Sequence, residues 1–577
     1  MKLIKIKPLI YVWVLLSIVF FILWSASFIG TLDGSTNQHN RFLEAAFFSL
    51  GLWLVLLAAV RKVWIFLITS FPAALVAPGE IWFRREFGNP ISVQSLALAL
   101  ETSWTEIINF LLTYKDTLTV YLIIWCFLYI ASIWYSFKYK ITWKHSSRIW
   151  CLIIFPLIVL FFYFESGMPV WIQASNSSNA LDGNVSEGWY KKWEDIFPLN
   201  ILISLQQYDL EKKKIQKIQA NLRKQSMGGR LIVPEKAPEI VVLIIGESAT
   251  STRWSLLGYT KKTTPNLDVT TNLIAFSDVV GLSVATRSAV PGVLSNRPVL
   301  RPDDFIDLNA ESSLIKAFSE AGFHTHWFSN QSPFGKFDTP IAIYAREAED
   351  VRFLNPSDFK FKGSFDEVLL NPLRSVLKTP GRHLIVLHML GSHFEYSMRY
   401  PDEFNKFKSV AGAKIVEKNQ KEEAVSNSYN NSILYTDYIL SKVIEIVDSQ
   451  KKPSLVAYFS DHGSDVPNEA CPYLENTRAG AAAFRVPVFF WFSELMKNKH
   501  LTQWNKLSNN KNSPYTTRAM LSTLYDLADV SVSSGLPQES FLLKPDIIKF
   551  PRNVVVNSKF VNYNVAELKN SCIISAK

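Results

Sequence analysis

Cysteine is scarce in this sequence of 577 residues, which contains four. Cys126 and Cys151 lie inside apolar runs, where we expect them to act as packing residues. Cys471 and Cys572 lie in the half of the chain that is predicted below to be exported, where a disulfide can form. So few cysteines exclude a fold built on a disulfide framework, and the sequence leaves open whether Cys471 and Cys572 pair.

The chain also has no internal repeat, no glycine-rich phosphate loop and no low-complexity tract. These absences argue against a repeat architecture and against nucleotide binding through such a loop. The net charge is +10, but a nucleic-acid-binding protein would need a basic face with base-stacking aromatic side chains. We expect no nucleic-acid partner, because attraction to anionic lipid head groups explains the charge better.

Charged residues are rare before about residue 166, where the apolar residues concentrate. Five spans there approach the roughly 20 apolar residues that a membrane-crossing helix needs: Leu9–Gly30, Phe42–Val60, Val63–Ile81, Leu118–Phe137 and Ile149–Phe164. A cleaved signal peptide is the alternative for the first span, but its apolar region is too long and further spans follow. Residues 1–166 are therefore predicted to form a transmembrane domain of five helices.

Basic residues near the ends of these spans predict their orientation. A single orientation places three groups of basic residues in the cytoplasm: those before span one, between spans two and three, and between spans four and five. These residues are Lys2, Lys5, Lys7, Arg61, Lys62, Lys138, Lys140, Lys144 and Arg148. Arg84 and Arg85 would then lie outside, as an exception. Five spans from a cytoplasmic N-terminus place the rest of the chain on the far side of the membrane.

Residues 167–237 differ in composition from the segments on either side. A polar stretch leads to Trp189, Tyr190 and Trp193, an aromatic group typical of a membrane interface. The pattern of Leu199–Leu222 predicts one or two amphipathic helices with the charged run Glu211–Lys214. Two interpretations stay open, a connector with a solvated face and a bridge on the membrane surface, and we predict interfacial bridging helices followed by a linker.

Strand-like apolar runs alternate with helical patterns in residues 238–577, such as Glu311–Ala321 and Asn427–Gln450. The runs are Ile240–Ile245, Ile274–Val280, Thr325–Ser329, Leu384–Leu387, Leu455–Phe459 and Val486–Phe492. Such alternation predicts an α/β domain with a mainly parallel sheet covered by helices on both faces.

Two of these runs end abruptly in residues that can bind a metal. Ile240–Ile245 leads into Gly246-Glu247-Ser248, and Leu455–Phe459 leads through Ser460 into Asp461-His462-Gly463. In open α/β sheets, ligands and catalytic groups collect at the carboxyl ends of buried parallel strands. The alternative is a pair of capped strands followed by surface turns. That both strands carry such residues favours a metal site.

Further motifs follow in a fixed order: Arg253, Leu257-Gly258-Tyr259, Thr264-Pro265, Ser283 to Pro291, Ser329-Asn330-Gln331, and His388 to His393. Together with the multispan N-terminal region, this order resembles the phosphoethanolamine transferases of the alkaline phosphatase and sulfatase superfamily, over essentially the whole chain. The resemblance implies an alkaline-phosphatase-like fold for residues 238–577 and Zn²⁺ as the cofactor.

The resemblance also assigns roles to individual residues. Thr286, a few residues before Pro291, matches the nucleophile, and Glu247, Thr286, Asp461 and His462 match the ligands of the catalytic zinc. His393 matches a position that contacts the transferred phosphate or a second metal, with Asn330 and Gln331 as further substrate-binding residues, whereas we expect His388 to be structural. In the outward loop, Thr102 and Glu106 resemble residues that meet the ethanolamine of the donor lipid. The alternative for that loop is the start of an amphipathic helix.

The chain departs from the family pattern in two places. Glu475 stands near the position where the family often has a histidine, which makes it an uncertain second-metal or phosphate ligand. No cysteines flank Thr286, so we expect the nucleophile loop to be held by packing alone. Ser283 and Ser288 remain alternative nucleophiles, and Thr286 could also act as a helix N-cap.

Zinc can lower the pKa of a hydroxyl and polarise a phosphoryl oxygen, which a phosphodiester transfer needs. The resemblance, together with the predicted topology, therefore implies a zinc-dependent enzyme of a bacterial inner membrane with its catalytic domain in the periplasm. It would move phosphoethanolamine from phosphatidylethanolamine, through a phosphothreonine-type intermediate on Thr286, to lipopolysaccharide (lipid A or a core sugar) or another envelope glycan, acting as a monomer among membrane lipids.

Alternatives to this function are a glycerol-phosphate transferase and a phosphodiester hydrolase of the same superfamily. A sulfatase is disfavoured, because no Cys/Ser-x-Pro-x-Arg arrangement surrounds the site. A non-catalytic membrane scaffold or sensor is disfavoured by the complete Glu, Thr, Asp and His set. The acceptor, the use of a second zinc and the oligomeric state cannot be read from the sequence.

Overall fold

The computed structural model describes residues 2–28, 36–87, 90–91, 96, 115–166, 196–222, 224–296, 312–333, 339–355, 364–408, 418–466, 480–533, 536–545, 551–556, 559–565, 568–569 and 573–574. The chain divides into two compact units, Met1–Leu210 and Glu211–Lys577. The division into residues 1–166, 167–237 and 238–577 stays a prediction.

The described part of the first unit is helical. Its helices are α1 (Lys2–Ser25), α2 (Thr36–Val60), α3 (Val63–Thr69), α4 (Phe71–Phe87), α5 (Lys115–Lys138) and α6 (Ser147–Ser166), and α7 (Leu199–Leu222) crosses the unit boundary. The segment Leu199–Leu222, predicted as one or two helices, is therefore a single helix.

The third predicted span, Val63–Ile81, is not one helix. It breaks after α3 at Ser70, and α4 continues at an angle of 66°. Pro72 explains the break, because proline lacks an N–H and clashes with the preceding turn. Among the described residues, this bent pair meets the length and hydropathy required to cross a bilayer, and no single helix does. The number of membrane spans stays a prediction.

A buried ion pair accounts for one of the basic residues that the predicted orientation left as an exception. Arg84 Nε lies 2.7 Å from Glu80 Oε1, and both side chains are fully buried. Asn200 Nδ2 and the Ile91 N–H also donate to the Glu80 carboxylate, at 3.1 Å each. Because Glu80 neutralises Arg84 inside the unit, Arg84 carries little weight as an orientation signal.

The second unit is an α/β structure. Its strands are β1 (Arg230–Leu231), β2 (Ile240–Gly246), β3 (Leu273–Phe276), β4 (Val279–Val280), β5 (Phe323–Ser329), β6 (Asp350–Phe353), β7 (Arg382–His388), β8 (Ser454–Ser460), β9 (Val488–Phe492), β10 (Tyr515–Thr516), β11 (Val530–Ser531), β12 (Asn553–Val556), β13 (Lys559–Asn562), β14 (Leu568–Lys569) and β15 (Ile573–Ile574). Its helices after α7 are α8 (Thr286–Leu294), α9 (Leu314–Glu320), α10 (Thr339–Ala345), α11 (Leu370–Val376), α12 (Lys418–Asp448), α13 (Ala481–Phe484), α14 (Glu494–Lys499), α15 (Leu501–Asn510) and α16 (Ala519–Leu527).

Seven strands form the central sheet in the order β3-β9-β8-β2-β7-β5-β6. The pairs β8-β2, β2-β7, β7-β5 and β5-β6 are parallel, whereas β9 runs antiparallel to both β8 and β3. One face packs against α8, α9, α10, α15 and α16, and the other packs against α11 and α12. The predicted mainly parallel sheet covered on both faces is therefore confirmed, with β9 as its antiparallel strand.

The predicted strand Ile274–Val280 is two strands in the structure. It is interrupted at Ser277, whose N–H donates to Lys511 O at 2.9 Å, and at Asp278, whose carbonyl accepts from Tyr515 N at 2.9 Å. β3 stays in the central sheet, while β4 turns away and pairs with β10. The apolar run hid this break, because its two polar residues hydrogen-bond to another segment.

Strand register brings the site residues together. All seven residues of β2 and of β8 are buried, and Gly246 lies beside Ser460. On the other side of β2, Ile245 lies beside His388 of β7, which in turn lies beside Ser329 of β5. The carboxyl ends of four neighbouring strands therefore meet at one edge of the sheet.

Candidate active site

Glu247 and Asp461 follow the two neighbouring strands β2 and β8 directly. The Asp461 N–H donates to Gly246 O at 3.0 Å, which continues the pairing of the strands. The chain then turns at Ser248, which has a φ of 58° and whose N–H donates to Asp461 Oδ1 at 3.1 Å. This turn fixes both carboxylates at the sheet edge, where they are buried.

Together with His462, these carboxylates form a group that can hold a metal. One ligand atom from each of Glu247, Asp461 and His462 lies within 4.8 Å of the others. His462 Nε2 is 3.3 Å from Glu247 Oε1 and 3.4 Å from Asp461 Oδ2. His462 Nδ1 lies 2.8 Å from Gly463 O, so Nδ1 carries the proton and the lone pair of the neutral ring is on Nε2. A ligating histidine is commonly held by an acceptor in this way.

The ionisable groups of this cluster shift one another's pKa values. Burial, and then the negative charge of Glu247, raise the pKa of Asp461 to about 7. Burial would lower the pKa of His462, but the charges of Asp461 and Glu247 raise it to about 9. Asp461 Oδ2 is buried and accepts no hydrogen bond from the described residues. Convergent acceptors with an orphaned carboxylate oxygen therefore fit a divalent cation.

Thr286 places a hydroxyl in this cluster. Its Oγ1 donates to Glu247 Oε2 at 3.1 Å and lies 3.4 Å from His462 Nε2. Thr286 is the first residue of α8, and Ala285 is the N-cap, so the alternative of Thr286 as the N-cap is wrong. Because α8 begins here, the positive end of its dipole lies beside the hydroxyl, where phosphate oxygens can be bound.

The two serines that were considered as alternative nucleophiles are buried. Ser283 is fully buried, and its Oγ accepts a hydrogen bond from the N–H of Ala285 at 3.2 Å. Ser288 is also buried, and its Oγ has no partner among the described residues. Neither has a described contact with the carboxylates or with His462, so the geometry favours Thr286.

Hydrogen bonds hold the segment before Thr286, which corrects the expectation of packing alone. The Gly281 N–H donates to Phe484 O at 2.7 Å, and the Thr517 N–H donates to Val280 O at 2.9 Å. The Val555 N–H of β12 donates to Leu282 O at 3.0 Å, and Val554 and Val556 pack on Val280 and Phe484. Backbone bonds from three separate segments therefore fix the nucleophile loop where cysteines are absent.

Asn330 and Gln331 lie at the end of β5 and are buried. Gln331 Nε2 donates to Glu247 Oε2 at 3.2 Å and to Met389 O at 2.7 Å. Asn330 Nδ2 donates to Ser364 O and to Asp366 Oδ1, both at 2.9 Å. Gln331 thus reaches the cluster, and Asn330 contacts Asp366, a buried carboxylate that is not part of the cluster.

His393 lies in the loop that follows β7. It is half-buried. Burial raises the pKa of Glu247, whereas the hydrogen bond and charge of His462 and, when protonated, the ring of His393 lower it. His393 Nδ1 contacts Phe394 O at 2.9 Å. Burial lowers the pKa of His393, so its ring is held towards the neutral form.

His388 is in the position expected of a structural residue. It is buried, its Nδ1 lies 3.1 Å from Ser329 Oγ, and its ring packs edge-on against Trp327. Burial lowers its pKa to about 4. Thr102, Glu106, Glu475, Cys471 and Cys572 lie outside the described residues.

Three supporting residues were missed by sequence reasoning. Asp366 accepts hydrogen bonds from the N–H groups of Leu390 and Gly391 at 2.8 and 2.9 Å. Tyr429 OH donates to Ser248 O at 2.8 Å from 181 residues away. Arg399 donates to His393 O at 3.0 Å and to Phe394 O at 2.9 Å. The sequence around these residues gives no signal of the contacts, because each contact depends on how loops and helices fold together and not on a local pattern.

Fold and site together define an α/β enzyme class in which a metal-binding cluster lies beside a hydroxyl at a helix N-terminus. The family model described as Sulfatase matches residues 239–530. This match covers half of the chain, and the protein belongs to the sulfatase family.

Named relatives and a solved structure point to one branch of this family. Phosphoethanolamine transferase EptC of Escherichia coli O18:K1:H7 is 28% identical over 311 residues, which are 52% of this chain and 53% of the relative. Phosphoethanolamine transferase EptA of Helicobacter pylori is 29% identical over 278 residues, 47% of this chain and 51% of the relative. The chain spans about half the length of the curated relatives it matches.

The crystal structure of the periplasmic domain of EptC from Escherichia coli in complex with Zn matches with a TM-score of 0.51 and 25% identity, covering 59% of this chain and 97% of that domain. The resemblance to phosphoethanolamine transferases with an alkaline-phosphatase-like domain is thereby confirmed.

Proposed function

We propose that this protein transfers phosphoethanolamine from phosphatidylethanolamine to a lipopolysaccharide acceptor, lipid A or a core sugar, or to another envelope glycan. One observation carries the proposal: the Thr286 hydroxyl lies 3.1 Å from Glu247 Oε2 within the Glu247, Asp461 and His462 cluster. Relatives that are named phosphoethanolamine transferases supply the identity of the transferred group.

Zinc fits the donor set of this site. Two carboxylates, one imidazole and one hydroxyl give the four ligands of a tetrahedral zinc, and the orphaned Asp461 Oδ2 supplies an acceptor for it. Glu247, Thr286, Asp461 and His462 would hold the ion. When bound, zinc lowers the pKa of a hydroxyl and neutralises charge on phosphoryl oxygens.

The proposed reaction has two steps, and residues of the chain move the proton in each of them. Glu247 Oε2 accepts the hydrogen bond of Thr286 Oγ1, so it can take the proton as the Thr286 oxygen attacks phosphorus. The bond from phosphorus to the glycerol oxygen breaks, and diacylglycerol leaves with the proton that Glu247 received from Thr286. An acceptor oxygen next attacks the phosphothreonine, its proton returns to Thr286 Oγ1, and the phosphoethanolamine moves to the acceptor.

Substrate contacts come from several elements of the chain. His393 would contact the transferred phosphate, and the N-terminus of α8 would bind its oxygens. Gln331 would act by orienting Glu247, which it contacts, and Asn330 would act by orienting Asp366, which supports the loop of Gly391. Thr102 and Glu106 would meet the donor head group, and Glu475 would serve as a further phosphate or metal ligand.

We further propose that the protein acts as a monomer in a bacterial inner membrane, with the first unit crossing it several times. Large apolar side chains of the helices in this unit are exposed, which a lipid environment would cover; Tyr11, Phe127, Ile123 and Trp150 are each more than 60% exposed. The second unit would lie in the periplasm, where the acceptor is found.

The test compares the full-length protein with Thr286→Ala and Thr286→Ser on a fluorescent phosphatidylethanolamine. Thr286→Ala should abolish transfer and keep its zinc, because the two carboxylates and the imidazole of Glu247, Asp461 and His462 remain and only an uncharged hydroxyl is lost. Thr286→Ser should retain a fraction of the rate, because it keeps the hydroxyl. Peptide mapping by mass spectrometry should locate a phosphoethanolamine adduct on residue 286.

Three results would contradict the proposal. They are full activity of Thr286→Ala, an adduct on Ser283 or Ser288, and release of free phosphoethanolamine in the presence of acceptor, which would identify a hydrolase. Glycerol phosphate on Thr286 would instead identify a glycerol-phosphate transferase.

A further inference from the structure

Three histidines lie together at the edge of the sheet opposite Glu247. His324 and His326 are two residues apart on β5 and so share one face of the sheet. His383 is the second residue of β7 and lies directly beside His324. The ring centroid of His383 is 5.7 Å from that of His324 and 5.4 Å from that of His326. We call these residues the histidine cluster.

Two imidazoles of the cluster each have one nitrogen within hydrogen-bond distance of an oxygen that can only accept. His324 Nδ1 is 3.2 Å from Glu349 Oε2, and His383 Nε2 is 3.2 Å from Thr379 O. His326 Nδ1 lies 3.6 Å from Asp350 Oδ2 and has no hydrogen-bond partner among the described residues. The oxygens beside His324 and His383 keep the ring protons of these two residues on the outer nitrogens, so each of these neutral rings has its lone pair on the other nitrogen. Histidines that bind metals in proteins are held in this way.

One nitrogen of each of two of these rings faces the same space. His326 Nε2 and His383 Nδ1 are 3.3 Å apart. Because His383 Nδ1 is the acceptor, this gap holds the Nε2 proton of His326 in the metal-free protein, and a metal ion that binds both nitrogens displaces that proton. Two nitrogens that bind one tetrahedral zinc at about 2.0–2.1 Å lie about 3.3–3.4 Å from each other. The observed spacing therefore fits two ligands of a single metal ion.

We propose that His326 and His383, with His324 as the third ligand, bind a divalent transition-metal ion of the zinc type. Among the described residues, the Glu247 group is the one whose three ligand atoms already lie within 4.8 Å, so His324 must turn to complete the site. Its side chain is 57% exposed, and its contact with Glu349 is at the surface. Rotation of this ring therefore disturbs little packing.

Two neighbours shape the surroundings of this site. Gly381 has a φ of 110°, and a Cβ there would lie 2.9 Å from His324 Cδ2, so glycine leaves the space beside this ring open. Arg352 binds Asp350 through two bonds of 3.0 Å, which fixes the carboxylate next to His326. The bound ion would join β5 to β7 at their amino ends. The opposite end of β5 leads to Gln331.

This site is independent of the proposed transferase activity. The experiment titrates metal-free, full-length protein with Zn²⁺ and measures bound zinc by calorimetry and elemental analysis. Wild type should bind two equivalents. His326→Gln and His383→Gln should each bind one equivalent, at the Glu247 site. Glu247→Gln should also bind one equivalent, at the histidine site. His500→Gln, which replaces a buried histidine elsewhere in the unit, should bind two.

The exposed His324→Asn provides the measurement if the buried variants fail to fold. This variant should weaken zinc binding at the histidine site by about ten-fold or more and leave zinc binding at the Glu247 site unchanged. The proposal is overturned if wild type binds a single equivalent of zinc, or if His326→Gln and His383→Gln still bind two. An unchanged affinity in His324→Asn would show that His324 is not a ligand. Loss of zinc from the Glu247 site alone, in Glu247→Gln, concerns only the proposed catalytic zinc.

Discussion

Gly391 offers the sharpest test of how the loop after β7 positions Glu247. Its φ is 54°, and a Cβ at this position would lie 2.7 Å from Glu247 O, 3.0 Å from Glu247 N and 3.2 Å from Glu247 Cβ. The loop cannot easily retreat, because the Gly391 N–H donates to Asp366 Oδ2 and the Ser392 N–H donates to Glu247 O, both at 2.9 Å. In Gly391→Ala, the backbone of Glu247 must therefore move.

The size of this movement follows from the contact distance. Ordinary contacts of a Cβ begin near 3.4 Å, so the shortest contact requires a shift of about 0.7 Å. A displacement of about 1 Å in a catalytic group can cost about a hundred-fold in rate. We therefore expect Gly391→Ala to lose at least about ten-fold in transfer rate and to bind zinc more weakly. The alanine also carries roughly 1–2 kcal/mol of backbone strain.

Gly322→Ala is the matched control for that strain. Gly322 has a φ of 88°, and a Cβ there would meet no atom within 4 Å. Both variants should lose similar thermal stability, while Gly322→Ala keeps its zinc and its rate on fluorescent phosphatidylethanolamine. If the two variants show equal transfer rates and equal zinc affinity, the argument that Gly391 positions Glu247 is wrong.

Two further predictions concern the supports of the site. Arg399→Gln should reduce the transfer rate about ten-fold or more with zinc content unchanged, because two hydrogen bonds from a charged donor hold the backbone of the His393 loop. Arg399→Lys should recover part of the rate. Equal rates for wild type and Arg399→Gln would contradict this role. Val555→Pro removes the N–H that donates to Leu282 O. It should lower the transfer rate while Glu247, Asp461 and His462 retain zinc by elemental analysis, and an unchanged rate would show that this bond does not support Thr286.

That Glu247 and Asp461-His462 lie together could be predicted from the sequence because two local signals coincided. Each apolar run ended in a residue that can bind a metal, and parallel strands bring such ends to one edge. The structure brings these three side chains together, and their role as metal ligands stays a proposal. The hydroxyl of Thr286 was found through its motif, since nothing in the local pattern distinguishes it from Ser283 or Ser288.

Other features could not be predicted, since they depend on distant partners. An apolar run has no direction, so the antiparallel course of β9 was hidden, and the break at Ser277 depends on hydrogen bonds to residues 511–515. The contact of Tyr429 with Ser248 joins residues that share no local pattern. The break before α4 is different, because Pro72 in the sequence already indicates a helix break. The prediction of a single span followed the continuous apolar run instead.

The strand β12 has a consequence for the order in which the site is completed. The sulfatase match ends at residue 530, whereas β12 begins at Asn553 and supports Leu282. A fragment cut to the matched region would keep every described residue of the proposed centre and lose this support. During synthesis, Val555 follows Leu282 by roughly 270 residues, which at about 5–20 residues per second means tens of seconds. The segment that carries Thr286 therefore gains its last backbone partner only when nearly all of the second unit has been made.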